Sequence, residues 1–346
     1  MTDVRPSEGS EDGAARLLAA ARARRAALAA DLRLPSALRL SERQRASVAA
    51  LFGALVGDVE DALRAALIER LPQGATEALR AALGSASLPI ALPLLEAASL
   101  LTDPQLLPLL LRRVEEHRLA ATGADHGLLA ALAGDEDAAV AAEAMGLLIG
   151  LNSRFDAFQE PLLGRFDLPA DLRHRLGWTV AAALRGYAIR HHRLDPAAAD
   201  AAIAAAAGAA SVGYDEADGV EPRAMRLAGL LAARGRLDDR LASQAAEEGN
   251  LPLLLATLAV RTGFGFEAAW DLLGDPIGAG APLLLRAAGV ERAAAAAILL
   301  RLAGDDAAAA ARIDRYDTLG AAEVGRLLAP WQADPAYRAA IAELAA

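Results

Sequence analysis

Apolar positions along this chain recur at helical spacing. Leu17, Ala21, Leu28 and Leu32 fall on one helix face, Ser10 stands ready to cap that helix over about 11–32, and Pro35 ends the segment. Ser41 and Gln44 form a capping box for a second helix, expected from Glu42 to about Val56. Beyond it the pattern reads helix, short turn, helix. Gly is favoured just past a helix end and Asp just before a helix start. The dipeptide Gly-Asp therefore predicts a junction, at Gly57-Asp58, Gly134-Asp135, Gly274-Asp275 and Gly304-Asp305. Pro89, Pro104, Pro169, Pro196 and Pro252 each suit the first turn of a helix, where a missing N–H costs nothing. The longest helix is expected over Ala170 to about His192, and about eight short helices after residue 223.

The surroundings of the junctions recur too. LFGALVGDVEDAL from Leu51 aligns without gaps with LLAALAGDEDAAV from Leu128, 77 residues on, and LLRLAGDDAAAA from Leu299 is a shorter match. HEAT-type units run roughly 40–47 residues, so this spacing is close to two shortened units. An antiparallel helix pair cannot bury its apolar face alone, whereas stacked pairs share a continuous core. The expected fold is all-α: a right-handed, HEAT-like α-solenoid of stacked antiparallel helix pairs, in two halves. Residues 1–35 would be a disordered start and a basic helix, and 36–210 the first half. An acidic, solvated linker would occupy 211–222, and 223–346 would be the second half.

Composition agrees with helices. Hydrophobic residues make up 55% and aromatics 4%, so the core rests on Leu and Ala, which favour helix. The chain has no Cys and no Lys. Disulfides, thiolate nucleophiles, Schiff-base lysines and the phosphate-loop lysine are thereby excluded. The net charge of -10 argues against nucleic acid as the main partner. No signal-peptide pattern and no apolar run of membrane-spanning length stands out, so a cytoplasmic protein is expected.

The stretches LRLSERQRASVAALFGALVGDVEDALRAALIERL, from Leu38, and EGNLPLLLATLAVRTGFGFEAAWDLLGDPIGAGAPLLLRAAGVERAAAAAILLRL, from Glu248, resemble a family of alphaproteobacterial helical proteins of unknown function. The resemblance implies a HEAT-like fold and a bacterial origin. It brings no activity and no catalytic motif.

Candidate chemistry is sparse. His191, His192 and Asp195 lack a third metal ligand nearby, so they read as a basic helix end followed by a cap. The acidic segment Asp215–Glu221 lacks EF-hand spacing and reads as a solvated loop. The carboxylate pairs Asp58/Asp61, Glu115/Glu116, Glu247/Glu248 and Asp305/Asp306 read as helix starts or exposed faces. Gly278-Ala279-Gly280 lacks the strand and third Gly of a dinucleotide fingerprint. No catalytic residue, metal or cofactor is assigned.

Interaction is a different matter. Residues 1–45 carry nine Arg and six acids, +3 against -13 for the rest, so Arg22 and Arg25 are candidates for docking an acidic partner. Trp178, Tyr187, Trp270 and Trp331 read first as core anchors. His174, Trp178 and Arg185 share a face of the longest expected helix and are the best candidate binding surface. The expected function is a non-enzymatic scaffold or adaptor, of regulatory kind, for a protein partner. The alternatives are a sensor that binds a small anion between helices and, third, an enzyme of unknown type.

Overall fold

The structure, a computed structural model, describes residues 40–85, 88–98, 103, 105–123, 127–156, 160–210, 215–275, 277–334, 336, 337, 340 and 344. The expected helix over 11–32, with Arg22 and Arg25, lies outside the described residues. The first described helix, α1 (Glu42–Ile68), buries Val48, Leu51, Phe52, Leu55, Val56, Val59, Leu63 and Leu67 as one stripe. The stripe runs straight through Gly57-Asp58, where a junction was expected, and 12 residues past the expected end at Val56. Continued burial outweighs the ~1 kcal/mol that Gly costs inside a helix.

The matching segment behaves differently. There α5 (Leu128–Ala133) ends at Gly134, and α6 (Ala138–Asn152) starts at Asp137, whose carboxylate accepts the Ala139 and Val140 amides. In the gapless alignment Asp137 corresponds to Glu60. Glu60 does not cap its own helix; its two oxygens accept the amides of Ile90 and Ala91, each at 3.0 Å. Asp58 is likewise a tertiary acceptor, for the Arg165 amide at 2.8 Å. The aligned carboxylates thus serve different ends, a local cap in one segment and a tertiary clamp in the other.

Asp and other short polar side chains start six of the thirteen remaining helices. Thr76 caps α2 (Glu77–Leu83). After α3 (Leu92–Ala97), Asp103 accepts the Gln105 and Leu106 amides that open α4 (Leu106–Ala120). Pro169 precedes α7 (Ala170–His192), whose bounds are those expected, although α1 is longer. Asp195 accepts the Ala198 amide and starts α8 (Pro196–Ala210). Next come α9 (Val220–Ala233), α10 (Asp239–Glu247, capped by Asp238) and α11 (Leu251–Thr262, capped by Asn250 with Pro252 in its first turn). The last five are α12 (Phe266–Leu273), α13 (Gly280–Ala287), α14 (Arg292–Leu302), α15 (Asp306–Thr318, capped by Asp305) and α16 (Ala321–Leu328). Pro89 falls outside a first turn; Pro93 takes that place in α3. No strand occurs among the described residues beyond a lone bridge between Phe155 and Pro161.

Residues Arg43–Ala346 form one unit with two apolar cores. The first gathers α1–α3, the start of α4, α7 and α8. The second gathers the end of α4, α5, α6 and α9–α16. The segment 211–222 does not divide them along the chain, because α6 packs against α9. At the centre of the second core lies α11, buried from Leu251 to Ala259 and packed against α4, α9, α10, α12 and α13. The turn before it approaches α4 backbone to backbone: Gly249 adopts φ 71, and a Cβ there would strike the Leu119 carbonyl.

Because Gly57 is mid-helix, with nothing within 4 Å of an added Cβ, Gly57→Ala is expected to stabilise the protein by about 0.5–1 kcal/mol in chemical denaturation. A loss of stability would indicate that the helix breaks there.

Candidate functional site

The candidate face on α7 is partly committed to the fold. Trp178 is 44% exposed, so it is no core anchor, and the His174 ring meets its edge. Arg185 is held by Asp200 of α8 through its Nε and Nη2, so it is not a free cation for a partner. Tyr187, Trp270 and Trp331 do pack, partly buried, against the cores. His191 and His192 both lie against the Tyr187 ring.

The densest chemistry lies where the two cores meet. Helix α4 places Leu106 and Leu110 in the first core and Leu119 in the second. Between them it buries Arg112, Arg113 and Glu116. Arg154, just past α6, is 1% exposed and reaches three carboxylates: Glu116 at 2.9 Å, Asp167 at 3.1 Å and Glu221 of α9 at 2.7 Å. Arg112 pairs with Glu221 at 3.3 Å and with Glu267 of α12 at 2.7 Å, and stands over the Phe266 ring. Arg113 pairs with Glu116 and, at 3.4 Å, with Asp167.

This cluster overturns two expectations. Glu221 is not in a solvated loop, and Glu116 is not on an exposed face. Both are the counter-charges of buried guanidinium groups. Burial alone would push the Glu221 carboxyl up; Arg154, Arg112 and Arg113 overcome this and hold it at about 2, against an ordinary 4.5. Arg113 is pulled down by its burial and by its neighbour Arg154, while Arg154 is raised despite burial by Glu221, Glu116 and Asp167. Every charge here is answered inside the protein. The arrangement ties helices together, with Glu267 its largely exposed acid, and no group of three or more side chains placed to hold a metal ion occurs among the described residues.

A similar self-satisfaction closes the Gly-rich run. Asp275 accepts the amides of Ile277, Ala279 and Gly280 at 2.9, 2.9 and 3.0 Å, so the loop's donors serve its own carboxylate. An exposed apolar surface among the described residues lies instead on α6. Ala138, Ala142, Met145 and Ile149 point outward, with Met145 46% and Ile149 62% exposed. Their spacing makes one apolar stripe about 16 Å long. Its flank is charged: Glu143 takes Arg226 at 2.9 Å and Arg223 at 3.6 Å, and Asp137 pairs with Arg234. Composition pointed to Trp and Arg and passed over this stripe; the run of apolar residues all round α6 was the available signal.

A family model described as an uncharacterised protein conserved in bacteria, DUF2336, matches residues 90–329. The chain belongs to this family. The match spans α3 to α16, and so takes in the charge cluster and the α6 stripe. No curated protein and no solved structure matches the chain. The DUF2336 description names no activity.

Two tests follow for this DUF2336 chain. Arg154→Met leaves three carboxylates short of a cation and is expected to cost about 3–5 kcal/mol of unfolding free energy. Acid should act through Glu221. Its folded carboxyl binds a proton less tightly than the unfolded one. The stability it contributes is therefore complete above about 4.5 and lost as pH falls to about 2. Unfolding midpoints measured across that window should fall less steeply in Glu221→Gln than in the parent; parallel curves would refute the assignment.

Proposed function

We propose that this DUF2336 protein is a non-enzymatic interaction scaffold or adaptor, and that a protein partner docks an amphipathic helix along α6. The observation that carries the reading is the outward stripe of Ala138, Ala142, Met145 and Ile149. Water-exposed apolar side chains in register along a helix gain most by meeting a second helix with matching spacing. The two alanines allow close approach, while Met145 is flexible enough to fit varied partners. Charged pairs at the flank give the polar rim typical of interfaces. Trp178 on α7 offers a further exposed aromatic.

We read the helical stack as HEAT-like, since such stacks present extended binding faces. A cytoplasmic setting in an alphaproteobacterium fits the resemblance and the composition. Among the described residues no single helix is long and apolar enough to cross a membrane; α11 and α12 qualify only as a pair bent by 109°, and both are packed in the second core.

The test is a paired capture experiment. Met145→Glu with Ile149→Glu should leave the unfolding midpoint unchanged, because both side chains are exposed. It should also abolish retention of a partner that the parent chain retains from its native host. Equal retention by both chains would sink the α6 reading.

A further inference from the structure

A second concave surface lies elsewhere in the second core. A partly open cavity of about 980 Å³ is walled by the end of α11, the turn from α13 to α14, α15 and α16. Phe264, Val290, Val324 and Leu328, all buried, supply its apolar lining. Its volume suits a small organic molecule.

Cations outnumber acids on the lining: Arg261, Arg286 and Arg292 against Glu291. They are not equivalent. Arg261 holds Asp239 at 2.6 Å, and Arg292 holds Asp317 at 2.9 Å. Arg286 has no carboxylate partner among the described residues. It stands over the Tyr316 ring, 5.1 Å from its centre, and donates to the Tyr316 hydroxyl at 3.4 Å and the Leu319 carbonyl at 3.3 Å. Tyr316 is itself fixed, its hydroxyl donating to the Val290 carbonyl. The guanidinium is thus positioned by neutral groups and stays open to solvent and to a ligand in the cavity. Arg80 and Arg301 are likewise held by backbone carbonyls, but Arg286 lines the cavity and they do not.

The start of α14 adds donors on the same lining. Its N-cap, Glu291, makes no side-chain bond to the first turn, so the amides of Arg292 and Ala293 there keep no capping acceptor. Helix-start amides and a guanidinium both favour an anion.

We propose that this cavity binds a small amphipathic anion: an aromatic or aliphatic body seated against Phe264, Val290, Val324 and Leu328, bearing a carboxylate, sulfonate or phosphate that pairs with Arg286. The site is independent of the α6 stripe. It would make the scaffold responsive to a metabolite of that chemistry.

A matched probe pair tests it on the full chain. Anilinonaphthalene sulfonate carries the anion; N-phenylnaphthylamine is the same body without it. The parent protein should bind the sulfonate at one site per chain, and about tenfold or more tighter than the neutral probe, the scale of one charge-assisted pair. Arg286→Gln should bring the two affinities together. Gly325→Trp, at an exposed lining position where an added Cβ meets nothing within 4 Å, should weaken both probes at least tenfold without lowering the unfolding midpoint. Equal affinity of the parent for the two probes would overturn the proposal, as would undiminished sulfonate binding by the Gly325→Trp variant.

Discussion

Three guanidinium groups buried side by side are the constraint around which this molecule is arranged. A buried charge without a partner is too costly to keep. Arg112, Arg113 and Arg154 therefore oblige Glu116, Asp167 and Glu221 to converge from α4, the 163–168 turn and α9. That convergence fixes where α4 crosses from one core to the other, and it sets α9 beside α6. An apolar contact at the same place would tolerate sliding; paired charges with directional hydrogen bonds hold one register.

The same economy explains why so little of the surface is chemically available. Asp275 fills its own loop, Glu60 and Arg64 clamp the chain between α2 and α3, and Glu248 accepts the Leu128 amide at the start of α5. Among the described residues two features lie open to another molecule: apolar side chains turned to water on α6, and the Arg286 guanidinium beside a cavity. Neither is a reacting group. Both are the surfaces at which recognition of another molecule is proposed.

Helix content was plain in the Leu/Ala periodicity, and the bounds of α7 were legible from Pro169 at one end and the basic run at the other. Capping by Asp195 and Asp305 followed from local chemistry alone. Gly57-Asp58 misled because a local stop signal lost to a long-range apolar stripe, and because Asp58 found Arg165 in place of its own helix. Glu116 and Glu221 were unreadable for a related reason. Their neighbours in sequence look solvated, and only residues 38 and 67 positions away bring Arg154 to them. Arg185 was legible as an α7 side chain, but its pairing with Asp200 depends on how α7 meets α8.

Because α5 and α6 belong to the second core while α7 and α8 return to the first, the chain crosses between the cores and back. Its bodies in space are not successive lengths of sequence. A gene truncated or fused between α8 and α9 would therefore not release a self-contained half: each product would carry an exposed surface shaped for the other, α6 missing α9 and Arg154 missing Glu221. The family match over residues 90–329 spans this crossing.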